Sequence, residues 1–150
     1  MRRGKMNAET TDPGRSNQCE AQRNHLILLV EDESFVRDVT RQVLVQAGYR
    51  VLDSSNPKEA LLLADQHGAA IDLLLTDVVM PGMSGTELAQ CLRNTKPNLA
   101  TVFMSGYAES DAMRTLSQAR AIHIQKPFTV DTLLSRIAEA LRAQRTAVEA

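Results

Sequence analysis

The strongest structural signal in the sequence is Ile71-Asp72-Leu73-Leu74-Leu75-Thr76-Asp77, an almost continuous apolar run that ends in a carboxylate. A short run of this kind predicts a strand that is buried on both faces of a parallel sheet. The chain then passes through Met80-Pro81-Gly82, which is typical of a turn, into Ser84-Gly85-Thr86-Glu87, a capping box that opens a helix. A strand, a turn and a helix in this order predict one βα unit.

Four further apolar runs lie at intervals along the chain: Leu26–Val30, Arg50–Ser54, Thr101–Met104 and Ala121–Ile124. The gaps between the runs, and the stretch after the last one, carry helical periodicity. Buried strands that alternate with amphipathic helices predict an α/β protein with a (βα)5 doubly wound, five-stranded parallel sheet. In such a sheet, ligands bind beyond the carboxyl ends of the strands.

The helices carry recognisable start signals. Ser34 is expected to cap the first helix, and Asn56 to cap the second, with Pro57 at its first helical position. The inward stripe of the first helix is predicted to consist of Val36, Val39, Val43 and Ala47. The last helix is predicted to start near Thr129 and to have the inward stripe Leu133, Leu134, Ile137 and Leu141.

The apolar pattern divides the chain into three parts. Residues 1–25 contain almost no apolar side chains, so we expect a disordered polar tail. Residues 26–143 are expected to form one domain, whose fourth helix is predicted around Asp111–Ala119. Residues 144–150 are expected to form a short C-terminal tail, and no second domain is predicted.

Composition excludes several classes of function for the 150-residue chain. A net charge of -1 provides no basic surface, so direct nucleic-acid binding is not expected. No apolar segment resembles a secretory signal or a membrane span, so we expect a soluble, cytoplasmic protein. Cys19 and Cys91 form neither a disulfide framework nor a metal motif, and Cys91 is expected to be a small, buried helix residue.

Polar side chains follow four of the five predicted strands. Glu31 and Asp32 follow the first strand, Asp77 the third, Ser105 the fourth and Lys126 the fifth. Because parallel strands end at the same edge of a sheet, we expect these side chains to converge. Three carboxylates packed together repel one another unless a cation joins them, and a site of oxygen ligands with few protein groups suits Mg²⁺.

This set of residues predicts phosphoryl chemistry. Asp77 can attack a phosphoryl group and form an acyl phosphate, while Lys126 and Ser105 stabilise the transferring oxygens. Each residue alone has a plainer interpretation. The acidic pair could favour a helix N-terminus, Asp77 could be a turn residue, Lys126 a solvated lysine and Ser105 a loop residue. Their joint position at successive strand ends favours the phosphoryl site.

Four stretches of the chain resemble the receiver domains of response regulators in two-component signalling. They are Ile27-Leu28-Leu29-Val30-Glu31-Asp32-Glu33, the segment from Asp72 to Gly85, Phe103-Met104-Ser105-Gly106-Tyr107 and Lys126-Pro127-Phe128. The resemblance covers about residues 26–143 and implies the flavodoxin-like receiver fold. The Ser-Gly-Tyr and Gln-Lys-Pro-Phe segments are most similar to receivers associated with hybrid histidine kinases.

The resemblance implies a role for each residue of the site. Asp77 would accept a phosphoryl group from a phosphohistidine of a sensor histidine kinase or a histidine phosphotransfer protein. The implied Mg²⁺ ligands are Glu31, Asp32, Asp77 and the backbone carbonyl of Val79. Ser105 would turn toward the phosphoryl group, and Lys126 would precede a cis peptide bond to Pro127. The domain would assist its own phosphorylation and dephosphorylation but would not be an enzyme.

We expect a single-domain response regulator, and the resemblance also implies how its signal would leave the domain. Phosphorylation would change the face formed by the fourth helix, the fifth strand and the fifth helix, which would then bind a downstream protein or form a homodimer. The family usually has Tyr or Phe three residues before the lysine, where this chain has His123. His123 is either an ordinary histidine at a strand edge or the moving switch residue, which would make switching pH-sensitive.

Val79 bears on the alternatives to a receiver. Haloacid-dehalogenase-type phosphatases also use an Asp nucleophile, Lys and Mg²⁺, but they place a second Asp two residues after the nucleophile, where this chain has Val79. A phosphorylation-independent interaction module is a further alternative, for which we would expect a degraded pocket. Because Val79 and Tyr107 leave the flanks of the phosphoryl pocket apolar or bulky, we expect slow self-hydrolysis of the phosphoryl group.

Overall fold

The computed structural model of the chain describes residues 25–106 and 122–149. The strands are β1 (Leu26–Val30), β2 (Arg50–Ser54), β3 (Leu73–Asp77), β4 (Ala100–Ser105) and β5 (Ile122–Gln125). The helices are α1 (Ser34–Gln46), α2 (Pro57–His67), α3 (Gly85–Thr95) and α4 (Val130–Glu149), with a short 3₁₀ helix at Gly68–Ala70. Residues 1–24 and the predicted fourth helix around 111–119 lie outside the described residues, so α4 is the helix predicted as the fifth.

The five strands form one sheet in which every neighbouring pair is parallel, in the order β2-β1-β3-β4-β5. This order confirms the predicted doubly wound sheet. The strand order reverses direction between β1 and β3, and the crevice at such a point is where ligands bind in open α/β sheets. Val30 at the end of β1 pairs with Thr76 of β3, so the residues that follow β1 lie beside the end of β3, next to this crevice.

Apolar side chains fill both faces of the sheet. On one face, residues of α1 and α4 pack against Ile27, Leu29, Leu73, Leu75, Val102, Met104 and Ile124. On the other face, residues of α2 and α3 pack against Leu26, Leu28, Val30, Leu74 and Phe103. Successive strand residues therefore alternate between two apolar layers. Both faces are therefore apolar, and the buried charged residues Glu31 and Asp77 lie at the carboxyl edge of the sheet instead.

The first helix differs from the prediction at its start and along its inward stripe. Glu33 occupies the N-cap position without a side-chain capping bond, and Ser34 is already helical. Val39 is 43% exposed, whereas Thr40 and Leu44 are buried in its place. The inward stripe is therefore rotated toward Thr40, a residue that the apolar pattern passed over because it carries a hydroxyl.

The starts of α2 and α3 confirm the predicted capping residues. The Asn56 side chain accepts a hydrogen bond from the Glu59 N–H at 2.8 Å, and Pro57 is the first residue of α2. Ser84 forms a reciprocal capping box with Glu87 at the start of α3. The expectation of a buried Cys91 was wrong, since the thiol is exposed. Its neighbours on α3, namely Leu88, Ala89 and Leu92, define the inward face and leave Cys91 beside it.

The last helix, α4, is longer than predicted. It ends at Glu149 and so includes most of the segment 144–150 that we expected to be a tail. The hydroxyl of Thr129, just before its first turn, accepts a hydrogen bond from the Thr132 N–H at 3.1 Å. The second half of α4 contains neither Gly nor Pro and is rich in good helix formers, so the sequence provides no stop signal. Neither α4 nor any other described helix is long and apolar enough to cross a membrane.

Candidate functional site

The predicted site residues lie at the carboxyl edge of the sheet. Asp77 is the last residue of β3 and Ser105 the last residue of β4, while Glu31 directly follows β1 and Lys126 directly follows β5. Four strands therefore each deliver one of these side chains, as the sequence predicted. Ser105 is fully buried, as is Glu31, and Asp77 is 5% exposed, whereas Asp32 is exposed.

Lys126 connects the carboxylates of the site. Its Nζ lies 2.7 Å from Oε1 of Glu31 and 3.0 Å from Oδ2 of Asp77. The Lys126 N–H donates to the carbonyl oxygen of Ser105 at 2.7 Å, which fixes the start of this side chain against β4. The peptide bond from Lys126 to Pro127 is cis, as the sequence resemblance implied.

The carboxylates also fit a divalent cation. One oxygen from each of Glu31, Asp32 and Asp77 lies within 4.8 Å of the others. The second oxygen of Asp77, Oδ1, is buried and has no hydrogen-bond partner among the described residues. A buried carboxylate oxygen without a partner is costly, and a hard cation with oxygen ligands would satisfy it. The exposed Asp32 gives this group of ligands a side that faces solvent.

Burial and the neighbouring charges shift the pKa values of Glu31 and Lys126. Burial raises the pKa of Glu31 to about 7; the hydrogen bond from Lys126 opposes this rise, and the neighbouring Asp77 adds to it. Burial alone would lower the pKa of Lys126, but its hydrogen bonds to Glu31 and Asp77 outweigh burial and raise that pKa above its usual value. Lys126 is therefore an ammonium at neutral pH. One ammonium does not neutralise the carboxylates around it, which again favours a bound cation.

Three supporting residues were not predicted from the sequence. Arg37 in α1 donates through Nη1 to the carbonyl oxygen of Glu31 at 2.9 Å. The Thr76 hydroxyl donates to the carbonyl oxygen of Asp77 at 3.0 Å. A Cβ on Gly85 would collide with that same carbonyl oxygen, so α3 starts in direct contact with the end of β3. A glycine at the first helical position is a signal that could have indicated this close approach.

Val79 and His123 lie at the margins of the site. The Val79 side chain is 55% exposed in the connection between β3 and α3. His123 is half-buried in β5 and pairs with Phe103, while Ser105 pairs with Gln125. His123 shares a face of the sheet with its partner Phe103, and Phe103 shares that face with Ser105, two positions further along β4. His123 and Ser105 therefore point to the same side of the sheet. Tyr107 lies outside the described residues.

Known proteins share the sequence pattern of this chain. A sensor kinase named CckA from Brucella abortus is 38% identical over 119 residues, which are 79% of this chain but 13% of the kinase. The chain therefore corresponds to a small part of that protein. Sporulation initiation phosphotransferase F from Bacillus subtilis is 28% identical over 79% of this chain and 94% of its own length.

Solved structures share the fold. The crystal structure of the receiver domain from the hybrid histidine kinase CckA superposes with a TM-score of 0.65 at 32% identity, over 77% of this chain and 98% of that one. The family model described as the response regulator receiver domain matches residues 27–138. This range contains all the residues that the strand ends bring together. The chain belongs to the response regulator receiver domains of two-component systems.

Proposed function

We propose that Asp77 accepts a phosphoryl group from a phosphohistidine of a histidine kinase or a histidine phosphotransfer protein. The observation that carries this proposal is the state of the Asp77 carboxylate. It is buried at the end of β3, with one oxygen 3.0 Å from the Lys126 ammonium and the other without a hydrogen-bond partner among the described residues. A carboxylate held in this way is oriented by Lys126, and its partner-free oxygen is open to the cation that assists phosphoryl transfer.

The transfer itself requires little of the protein beyond positioning and charge. A carboxylate oxygen of Asp77 forms the new P–O bond, the P–N bond to the donor imidazole breaks, and the imidazole leaves with the electron pair and takes up a proton. Lys126 faces the carboxylate and stabilises the negative charge on the transferring oxygens. Ser105, buried at the end of β4, would donate a hydrogen bond to the phosphoryl group of the product.

Glu31, Asp32, Asp77 and the backbone carbonyl of Val79 would hold Mg²⁺. The three carboxylates are close enough to share one ion, and the orphaned oxygen of Asp77 fits a hard cation. When bound, Mg²⁺ would supply positive charge that shields the carboxylates from the incoming phosphoryl oxygens. Lys126 would keep its place beside Glu31 and Asp77 and would hold their relative orientation before the donor arrives.

The output of this domain would be a change in a binding surface. New charge on Asp77 would draw Ser105 toward the phosphoryl group and alter the face that includes β5 and α4. The predicted fourth helix, which lies outside the described residues, would complete that face. That face would bind a downstream protein or a second copy of the domain. The support for this is that Ser105 ends the strand that pairs with β5, so a movement of its backbone would reach that strand directly.

His123 could take part in this relay, because it faces the same side of the sheet as Ser105. If it moves with Ser105, the signalling change would depend on pH, because histidine is the side chain that commonly serves as a pH switch. Spectra of the phosphorylated state should be compared across mildly acidic to neutral pH for the wild type and His123→Phe. A pH dependence that is lost in the variant supports the relay, and identical profiles reject it.

Intact-mass spectrometry after incubation with acetyl phosphate and Mg²⁺ tests the phosphoacceptor proposal. We expect the wild type to gain the mass of one phosphoryl group, and Asp77→Asn to gain none. Asp65→Asn, which alters an exposed carboxylate of α2, is the matched control and should be phosphorylated like the wild type. An adduct that persists in Asp77→Asn, or no adduct in the wild type with any phosphodonor, would contradict the proposal.

A further inference from the structure

Arg37 lies one turn into α1 and reaches back to the acidic end of β1. Its Nη1 donates to the carbonyl oxygen of Glu31 at 2.9 Å, and its Nε lies 3.7 Å from Oδ2 of Asp53 near the end of β2. The Arg37 side chain is 18% exposed, so most of it is packed against the protein. The guanidinium therefore ties a helix, the acidic segment and a neighbouring strand together.

The backbone of Glu31 forms hydrogen bonds through both its N–H and its carbonyl oxygen. The Glu31 N–H donates to the carbonyl oxygen of Ser54 at 3.1 Å, which continues the pairing of β1 with β2. The Glu31 carbonyl accepts from Arg37, and the Glu31 carboxylate accepts from Lys126 at 2.7 Å. Of these three anchors, Arg37 holds the peptide that leads directly into Asp32. Asp32 is exposed, so its own side chain has little packing to orient it.

We propose that Arg37 is a positioning residue for the magnesium site. By fixing the carbonyl of Glu31, it sets the direction in which the chain presents Glu31 and Asp32 to the ion. Mg²⁺ tolerates little deviation from octahedral geometry, so a small rotation of this peptide would be costly. Groups that orient the ligands of a metal typically contribute about 10-fold to 100-fold in affinity. The inference rests on the proposed function, because it concerns the same site.

The positive charge of Arg37 by itself would weaken Mg²⁺ binding, whereas its positioning role would strengthen it. The two effects therefore predict opposite changes in Mg²⁺ affinity when Arg37 is replaced. A cation beside a metal site repels Mg²⁺, so removal of a purely electrostatic neighbour would tighten metal binding. Removal of a positioning residue would weaken it. The geometry favours positioning, because the charge of Arg37 is already shared with Asp53, while its hydrogen bond to the Glu31 carbonyl has the ordinary length of a well-formed bond, 2.9 Å.

The Mg²⁺ affinity should be measured by isothermal titration calorimetry for the wild type, Arg37→Gln and Arg37→Lys. A temperature should be used at which circular dichroism shows each protein to be folded. We expect Arg37→Gln to bind Mg²⁺ about 10-fold more weakly. We also expect Arg37→Lys to bind more weakly, since an ammonium cannot span Glu31 and Asp53 as a guanidinium fork does. Arg136→Gln, which removes an exposed pair with Glu139, should bind like the wild type.

The outcomes separate the inference from the function on which it rests. Wild-type affinity in Arg37→Gln, or tighter binding, would overturn the positioning role and leave the magnesium site standing. Full rescue by Arg37→Lys would overturn it as well, because charge alone would then be sufficient. No Mg²⁺ binding by the wild type would overturn the proposed site and the inference together. If Arg37→Gln does not fold, the lysine variant decides the matter, since it keeps the charge.

Discussion

At the scale of the residue, Lys126 connects more of the site than any other side chain described above. Its ammonium donates to Glu31 and Asp77, and its N–H donates to the carbonyl of Ser105. One residue after β5 thus contacts residues at the ends of three other strands. A single lysine therefore contacts both buried carboxylates and holds them in a fixed relative orientation.

Glu31 should make magnesium binding depend on pH. Its pKa is raised to about 7, mainly by burial, so a proton and a bound Mg²⁺ would compete for the same carboxylate in the physiological range. Roughly one Glu31 in ten is ionised at pH 6 and roughly nine in ten at pH 8. We therefore expect the Mg²⁺ affinity to rise about 10-fold from pH 6 to pH 8 and to level off above that, as measured by calorimetry.

Glu31→Gln provides the control for this pH dependence. The amide has no proton to lose in this range, so the variant should bind Mg²⁺ weakly and with little change between pH 6 and pH 8.

The effect of Glu31 on the free energy of unfolding runs in the opposite direction, because folding stability should fall as pH rises, whereas the Mg²⁺ affinity should increase. Because the folded-state pKa lies above the ordinary value of 4.5, the contribution of Glu31 to folding is present below pH 4.5 and is lost as pH rises through about 7.

Val79 should prolong the life of the phosphorylated state. Its exposed side chain is apolar, so it offers no hydrogen bond to an attacking water molecule. We expect Val79→Asn to lose the phosphoryl group several-fold faster than the wild type, as followed by intact mass after removal of the phosphodonor. Leu62→Asn, at an exposed apolar position of α2, should leave the lifetime unchanged. A wild-type lifetime of only seconds would count against the role of Val79.

At the scale of the element, hydrogen bonds in the connection from β3 to α3 restrain the backbone that follows Asp77. The Val78 N–H donates to the Met104 carbonyl at 2.9 Å, and the Gly85 N–H donates to the Val78 carbonyl at 2.8 Å. The hydrogen bond from Gly85, the first residue of α3, therefore closes the turn that starts at Val78. The end of β3 cannot move without also moving β4 or α3.

Gly85→Ala should damage both the fold and the site. The added Cβ would collide with the Asp77 carbonyl, so the backbone of β3 or the start of α3 must shift. We expect a loss of about 1–3 kcal/mol in the free energy of unfolding, measured in urea, together with slower phosphorylation by acetyl phosphate. Gly68→Ala is the matched control, because its Cβ meets nothing within 4 Å. Equal behaviour of the two variants would show that the close approach is unimportant.

The packing of α4 on the sheet should contribute strongly to stability. Ile137 is fully buried in the layer that α4 shares with β4 and β5. We expect Ile137→Ala to lower the free energy of unfolding by about 2–5 kcal/mol in urea. Val130 begins the same helix but is 52% exposed, so Val130→Ala should change it by no more than about 0.5 kcal/mol. Similar losses in the two variants would contradict the described packing.

At the scale of the whole molecule, the sequence predicted the sheet because its strands are buried on both faces. Continuous apolar runs mark such strands, and the observed bounds of β1 and β2 are those predicted. The alternation of strands and helices along the sequence also predicted that Asp77, Ser105 and Lys126 would lie at the same edge of the sheet, the carboxyl edge. Positions decided by three-dimensional packing were harder to predict. Val39 is exposed although it fits the apolar stripe, and Arg37 had no signal beyond an ordinary polar helix position.

The central claim is that this receiver carries its phosphoryl group on Asp77, and the most direct measurement is to locate that group. Borohydride reduces an acyl phosphate to the alcohol, so a phosphorylated aspartate becomes homoserine and can be found by peptide mass spectrometry. After treatment with acetyl phosphate and Mg²⁺, we predict homoserine at position 77 and at no other carboxylate of the site. Homoserine at position 32, 5-hydroxynorvaline (the alcohol that forms from a phosphorylated glutamate) at position 31, or an adduct that borohydride does not convert would contradict the account.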